Sequence, residues 1–167
     1  MSASEVPHAR STLKGELYDQ LASQLSSLLA GERDLIANAA NFASLIFHSL
    51  PDLNWAGFYF VKDDELVLGP FQGKPACVRI ALGQGVCGTG AAKCETVIVR
   101  NVHEFPGHIT CDIASNSEIA VPLMKSGQLI GVLDLDSPLL ARFDREDAAG
   151  LETLVRVLLS STTSNGN

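Results

Sequence analysis

The sequence predicts an α+β fold, in which a central antiparallel sheet carries helices on one face. Two stretches with apolar residues at helical spacing come first, five or six short strand-like segments follow, and a last helical stretch closes the chain. Strands that are grouped between helices, without regular alternation of strand and helix, are typical of α+β domains. We expect one domain over residues 12–163, preceded by a flexible lead-in over residues 1–11.

Composition limits the class of protein. The 167 residues are 46% hydrophobic and 19% charged, which suits one soluble domain with an adequate core. We see no apolar run of about 18 residues that would predict a membrane span, and no apolar core of a secretory signal. A cytoplasmic protein with reduced thiols is therefore expected. The net charge of −7, without a basic cluster, argues against nucleic acid as a partner.

Three helices are predicted from apolar spacing and capping residues. The first contains regularly spaced leucines: Leu13, Leu17, Leu21, Leu25 and Leu28. The second ends at Pro51 and is predicted to bury one apolar face: Ile36, Ala39, Ala40, Ala43, Phe47 and Leu50. The last begins after Asp144 as N-cap. Its predicted inner face consists of Ala148, Leu151, Leu154 and Leu158.

The strands are predicted from the change to a period of two after residue 53. One hairpin is formed by NWAGFYFV and ELVLG, and the short strands CVRIA and TVIVRN come next. EIAVPLMK and QLIGVLDLD form a second hairpin across Ser126 and Gly127. Residues 102–117 show no clear period and are interpreted as a functional loop.

Carboxylates gather on one face of the second hairpin. A three-residue loop over residues 125–127 predicts that Glu118 lies opposite Asp134, and alternation places Asp134 and Asp136 on the face away from the leucines. Crowded carboxylates raise at least one pKa, so one acid is expected to hold a proton near neutral pH. The alternative is that these acids are simply solvated on an exposed sheet face.

Two aromatic residues share a face of the first strand. Trp55 and Tyr59 flank Gly57, which has no side chain, and we expect space for a small apolar group between them. The alternative interpretation is that these rings only fill the core of the sheet.

All four cysteines fall within residues 77–111, at spacings that match no zinc finger. Cys111, in a loop near His108, is a candidate nucleophile, and either Cys77 or Cys87 could be its resolving partner. Buried thiols acting as small apolar groups remain the alternative. A metal site formed by His103, His108 and Cys111 is disfavoured by their spacing, so no metal is expected.

The glycine-rich segment GQGVCGTG lacks the features of a nucleotide-binding loop. It follows no strand–helix unit of the dinucleotide-binding kind and has no Lys-Ser or Lys-Thr pair. We expect its glycines to let backbone N–H groups approach a ligand such as a carboxylate.

Three segments carry a family resemblance. GPFQGKPACVRIALGQGVCGTGA, NVHEFPGHITCDIASNSEIAVPL and GVLDLDSP resemble the free methionine-(R)-sulfoxide reductases, small enzymes with a GAF domain. The resemblance implies a six-stranded antiparallel sheet with helices on one face and a ligand pocket on the other. It also implies an enzyme without a bound cofactor.

The same resemblance assigns roles to individual residues. Cys111 becomes the catalytic cysteine, Cys77 the resolving cysteine and Cys87 a third thiol, whereas Cys94 belongs to no family motif. Glu118 and Asp136 become candidate catalytic acids. The implied substrate-binding residues are Trp55, Tyr59, Glu118, Asp134 and Asp136.

The implied reaction is reduction of free L-methionine-(R)-sulfoxide to methionine. It would pass through a Cys111 sulfenic acid and an intramolecular disulfide that thioredoxin reduces, with NADPH as the indirect source of electrons. The alternative hypotheses are a GAF module that senses a small molecule and a thiol redox sensor without a dedicated substrate. The sequence leaves open whether two copies form a homodimer.

Overall fold

The computed structural model describes residues 5–162, with side chains from residue 13 onward. The helices are α1 Glu5–Leu28, α2 Leu35–Ser49, α3 Gly85–Lys93 and α4 Arg145–Ser161. The strands are β1 Trp55–Lys62, β2 Glu65–Gly73, β3 Arg79–Ala81, β4 Val97–Val99, β5 Ser117–Lys125 and β6 Gln128–Ser137. They form one six-stranded antiparallel sheet in the order β3-β2-β1-β6-β5-β4, so the predicted fold class is confirmed.

The first helix starts earlier than predicted. α1 begins at Glu5 and so includes residues 5–11, which the sequence suggested were a lead-in. Residues 1–4 and 163–167 lie outside the described part of the chain, and the domain boundaries stay a prediction. None of the helices in the described part is long and apolar enough to span a bilayer.

Helices α1, α2 and α4 cover one face of the sheet and enclose the larger apolar core. The inner face of α4 follows the prediction, and Asp144 caps this helix through the backbone N–H groups of Glu146 and Asp147. The predicted face of α2 is wrong in part, because Ile36 and Ala40 are exposed and Phe42 is fully buried instead. Contact with the sheet decides which side of this largely apolar helix turns inward.

The register of β5 and β6 differs from the prediction by two residues. The turn contains two residues, Ser126 and Gly127, both with positive φ, as a type I′ hairpin requires. The register also shifts by one residue near Leu123 and Met124. Glu118 therefore lies opposite Asp136 rather than Asp134. Because the two shifts add to an even number, the side chains of residues 118–123 and 131–136 stay on their predicted faces.

The opposite face of the sheet is covered by α3 and by the segments that carry Cys77 and Cys111. A second, smaller apolar cluster lies there and includes Trp55, Tyr59 and Cys87. The two clusters are separated by the sheet itself, so the helix layer and the site make contact with opposite sides of β1, β5 and β6.

Candidate active site

Three carboxylates form the floor of a pocket on this second face. Glu118 projects from β5 and is 7% exposed, while Asp134 projects from β6 and is 5% exposed. Asp136 is half-buried and also lines the pocket. The expectation that these acids share a face is confirmed, and the alternative of solvated acids on an open sheet is wrong.

Burial and mutual repulsion favour the protonated forms of these acids. Burial, with the nearby Asp136, raises the pKa of Glu118 to about 8. Burial and the Glu118 carboxylate raise the pKa of Asp134 well above its usual range. Burial and the neighbouring Asp134 do the same to the pKa of Asp136. The trio can therefore hold protons near neutral pH and release them when a cation arrives.

Asp134 has an oxygen without a hydrogen-bond partner. Among the described side chains, only Asp134 Oδ1 and Asn54 Oδ1 are buried polar atoms that lack one. An unpaired buried oxygen costs free energy unless a ligand supplies a donor. Since Asp134 lines the pocket, its free oxygen is suited to an ammonium or another N–H group.

An aromatic wall rises beside the acids. The Trp55 ring stacks on Tyr59 at 5.9 Å between centroids and on Phe71 at 5.2 Å. The empty space predicted over Gly57 is absent, because a Cβ there would lie 2.3 Å from the Phe71 Cβ and 2.8 Å from the Trp55 ring. Glycine thus lets the rings stack tightly, and Trp55 and Tyr59 both line the pocket.

Cys77 and Cys111 are joined by a disulfide, with 5.7 Å between their Cα atoms. Residue chemistry alone left Cys77 and Cys87 open as partners of Cys111, and the family resemblance implied Cys77. The structure pairs Cys77. Cys111 lines the pocket, and the Tyr59 hydroxyl donates a hydrogen bond of 2.9 Å to the Cys77 carbonyl. The bond therefore lies at the pocket that the acids and the aromatic rings line.

The loop that carries Cys111 is held by polar contacts that the sequence did not reveal. The Asn54 amide donates to Asp112 Oδ2 at 3.1 Å and to Ser115 Oγ at 2.9 Å. The backbone N–H of Ala114 and the Asn54 amide keep the pKa of Asp112 below its usual range. Asn54 immediately precedes β1, so this network ties the Cys111 loop to the sheet.

Cys87 lies in the first turn of α3 and faces the acids. Its Sγ donates to Glu118 Oε1 at 3.7 Å, and burial together with Asp134 and Glu118 raises its thiol pKa well above the usual value. Cys87 is therefore a neutral hydrogen-bond donor in this structure. Cys94 is exposed at the left-handed C-cap of the same helix.

The glycine-rich segment forms the start of α3. Gln84, Gly85 and Val86 line the pocket, which agrees with an approach of backbone to ligand. Gly85 has φ +64, and a Cβ on Gly88 would lie 2.5 Å from the Ala81 carbonyl oxygen. Both positions need glycine for this tight entry into the helix.

His108 also lines the pocket, with Nε2 at 3.7 Å from Glu118 Oε2, and burial lowers its pKa. His103 instead contacts Asn116 at 3.0 Å. Among the described side chains, the one group with metal-ligand spacing is Cys87, Glu118 and Asp134. It contains neither histidine, so the histidine–cysteine set considered from the sequence is not brought together.

Comparison with known proteins agrees with this geometry. The GAF domain family matches residues 15–159. The free methionine-R-sulfoxide reductase of Escherichia coli is 52% identical over 145 residues, covering 87% of this chain and 88% of that protein. The yeast enzyme of the same name, from Saccharomyces cerevisiae, is 41% identical and covers 95% and 93%. The chain belongs to the free methionine-R-sulfoxide reductases of the GAF-domain family.

Solved structures extend the likeness to three dimensions. The Neisseria meningitidis free methionine-R-sulfoxide reductase, in complex with its substrate, matches with a TM-score of 0.85 and 45% identity over 96% of this chain and 92% of that one. A structure described as a GAF sensor protein, from Burkholderia vietnamiensis, matches with a TM-score of 0.87 and 63% identity over 89% and 95%. The expected six-stranded GAF fold is confirmed.

Most residues that the sequence pointed to meet at one pocket. Cys77 joins it through the disulfide. Sequence reasoning did not assign Asn54, Phe71 or Ser115 to the site. Asn54 directly precedes Trp55 in the sequence, so it could have been assigned to the site together with Trp55. Nothing in the sequence near Phe71 or Ser115 indicates a role in the site.

Proposed function

We propose that this protein reduces free L-methionine-(R)-sulfoxide to L-methionine, using Cys111 as nucleophile and Cys77 as resolving cysteine. The observation that carries the proposal is the Cys77–Cys111 disulfide at a pocket that three crowded carboxylates also line. A thiol sensor would need the disulfide but not the acid floor. A small-molecule sensor would need the pocket but not the disulfide.

The acids supply what a sulfoxide requires. Its oxygen leaves poorly until it is protonated, and the raised pKa of Glu118 and Asp136 favours acids that hold protons near neutral pH. The Cys111 thiolate attacks the sulfoxide sulfur, and the oxygen is transferred to give methionine and a Cys111 sulfenic acid. The Cys77 thiol then attacks the Cys111 sulfenic acid and forms the disulfide. The water that leaves is made of the hydroxyl of the sulfenic acid and the proton of the Cys77 thiol.

The rest of the pocket fits the other ends of the amino acid. Asp134 Oδ1 is free to accept a hydrogen bond from the substrate ammonium, with Asp136 and Glu118 completing the negative surroundings. Trp55 and Tyr59 would pack against the S-methyl group and favour the R epimer. Enclosure of both the ammonium and the carboxylate excludes a peptide chain.

Cys87 serves in this scheme through its hydrogen bond to Glu118, as a third thiol that can also exchange. Recycling requires two electrons and two protons, which a dithiol such as thioredoxin provides, itself reduced with NADPH. No cofactor is bound to the protein in this cycle. A reducing cytoplasm is the compartment in which such a cycle runs.

A coupled assay tests the proposal. Free methionine-R-sulfoxide, its S epimer and a peptide-bound sulfoxide are each supplied with thioredoxin, thioredoxin reductase and NADPH. We expect NADPH oxidation with the free R epimer alone, abolished in Cys111→Ser and retained in the matched control Cys94→Ser. Equal turnover of the peptide-bound form, or full activity of Cys111→Ser, would contradict the proposal.

A single-turnover experiment tests the resolving role. Cys77→Ser should still form one equivalent of methionine per protein but lose turnover supported by thioredoxin. The product is quantified after mixing reduced protein with excess substrate and no reductant. An unchanged steady-state rate in Cys77→Ser would remove Cys77 from the cycle.

A further inference from the structure

The large apolar side chains that remain exposed are concentrated around the disulfide. Nine such residues are strongly exposed among the described side chains, and four lie within five positions of Cys77 or Cys111. They are Val78 at 61% exposure, Leu82 at 39%, Ile109 at 36% and Ile113 at 89%. We call these four residues the disulfide-flanking patch.

The disulfide joins the two chain segments that carry these residues, with 5.7 Å between the Cα atoms of Cys77 and Cys111. Val78 directly follows Cys77, and Ile113 is two positions after Cys111. Ile109 packs over the start of α3, where a Cβ on Gly85 would lie 3.2 Å from its side chain. Two chain segments that one reducible bond joins thus each carry exposed apolar side chains.

Isolated exposed apolar residues need no explanation, but a group of them at a reactive centre indicates an interaction site. Only Ile109 of the four lines the substrate pocket, so substrate binding does not account for the other three. Ile113 and Val78 are the two most exposed large apolar side chains of the described loops. A partner that covers them would therefore remove apolar surface from water, which favours binding.

We propose that the disulfide-flanking patch is the docking surface for the dithiol protein that reduces Cys77–Cys111, a reductant of the thioredoxin type. This inference rests on the proposed function for the origin of the disulfide. The chemistry of exchange supports the choice of occupant. A reductant's thiolate must contact one cysteine sulfur directly, so a protein reductant must cover the residues beside that sulfur, whereas a small thiol need not.

The exchange balances in two steps. The reductant's thiolate attacks one sulfur of the Cys77–Cys111 bond, forming a mixed disulfide and releasing the other cysteine as a thiolate. The reductant's second thiol then attacks the mixed disulfide and releases the remaining cysteine. The protein gains two electrons and two protons, and the reductant leaves as a disulfide. Apolar contacts with the patch hold the two proteins together during the first attack.

The test compares protein and small-molecule reductants. Val78→Ser with Ile113→Ser is prepared as a double variant, and its matched control carries Leu28→Ser and Ile36→Ser, two exposed apolar residues on α1 and α2 across the sheet. The preformed disulfide is mixed with reduced thioredoxin or with dithiothreitol. Free thiols are then trapped by alkylation and counted by mass spectrometry, without any sulfoxide present.

We expect the patch variant to be reduced by thioredoxin about tenfold more slowly, with an unchanged rate in dithiothreitol and an unchanged thermal unfolding temperature. The control variant should match the wild type with both reductants. Equal slowing with both reductants, or no slowing with thioredoxin, would overturn the inference. So would a wild-type dimer in sedimentation that the patch variant converts to monomer, because a second copy would then occupy the patch.

The two proposals fail differently. Loss of sulfoxide turnover with an intact, thioredoxin-reducible disulfide would refute the proposed function and leave the docking surface standing. Normal sulfoxide reduction with dithiothreitol, combined with an insensitive patch variant, would refute the docking surface alone.

Discussion

The two faces of the sheet are buried to a similar depth but made of opposite chemistry. Leu133 and Leu135 point from β6 into the helix-covered core and are fully buried. Asp134, between them in the chain, points the other way and is 5% exposed. Among the described residues that line the pocket, none is Lys or Arg. The helix face buries hydrocarbon, and the pocket face adds three crowded acids, with no Lys or Arg beside them, to its smaller apolar cluster.

This difference assigns stability and function to opposite sides of the same strands. The helix face contributes free energy of folding because it buries hydrocarbon. The acid trio on the pocket face costs free energy, since burial and repulsion disfavour ionised acids and Asp134 Oδ1 is left without a partner. A cationic ligand recovers part of that cost on binding. Substitutions on the two faces should therefore act on different measured quantities.

The largest expected effect is on catalysis from the pocket face. Glu118→Gln and Asp134→Asn should each lower kcat/KM for the free R-sulfoxide by about 10²–10³-fold, because proton donation or ammonium binding is lost. Neither should lower the free energy of unfolding, since each removes a buried ionisable group. Turnover and urea denaturation are measured together.

Glu16→Gln, on the exposed surface of α1, is the matched control and should change neither quantity. A pocket variant that keeps full turnover, or that unfolds much more easily, would break the contrast between the faces.

Next in size is the effect of a cavity on the helix face. Leu133→Ala should lower the free energy of unfolding by about 3–5 kcal/mol, because a fully buried side chain is truncated in a closely packed core. KM for the sulfoxide should stay unchanged, since Leu133 points away from the pocket. Urea denaturation and steady-state kinetics give the two values.

Leu28→Ala, at 46% exposure, is the control and should cost much less. If Leu133→Ala changed KM by as much, expressed as a free energy, as it changes the free energy of unfolding, the two faces would be coupled through β6.

The smallest effect concerns pH. The pKa of Glu118 is about 8 in the folded protein, above its ordinary value of 4.5. The folded state therefore binds more protons than the unfolded state between these values, so stability is present below about pH 4.5 and lost as pH rises through about 8. For the reduced protein without substrate, we expect a fall of about 1–3 kcal/mol between pH 5 and 8.

Denaturation curves of wild type and Glu118→Gln across this range check the expectation. The variant should show a shallower fall, because one of the coupled acids no longer titrates. Parallel curves for the two proteins would assign the pH dependence to groups other than Glu118.

The local sequence pattern was sufficient to predict which face of the sheet each side chain occupies. It was insufficient to predict which residues lie opposite each other on neighbouring strands. Alternation along EIAVPLMK and QLIGVLDLD correctly placed the acids together, since neighbouring side chains of a strand must point to opposite faces. It could not place Glu118 opposite Asp136, because the turn length and the one-residue irregularity depend on how the two strands meet. The same limit explains Phe71, whose stacking on Trp55 is set by the pairing of β1 with β2.

What the sequence determined by itself was the class of fold, the common face of Glu118, Asp134 and Asp136, and the candidate thiols. These follow from periodicity, residue chemistry and long matching motifs, which are properties of neighbours along the chain. Residue chemistry left the partner of Cys111 open and only the resemblance implied Cys77, whereas the tertiary structure brought the two sulfurs together, turned Cys87 toward the acids and formed the pocket. Those outcomes depend on distances between residues far apart in sequence, which the packing of α3 and the loops on the sheet decides.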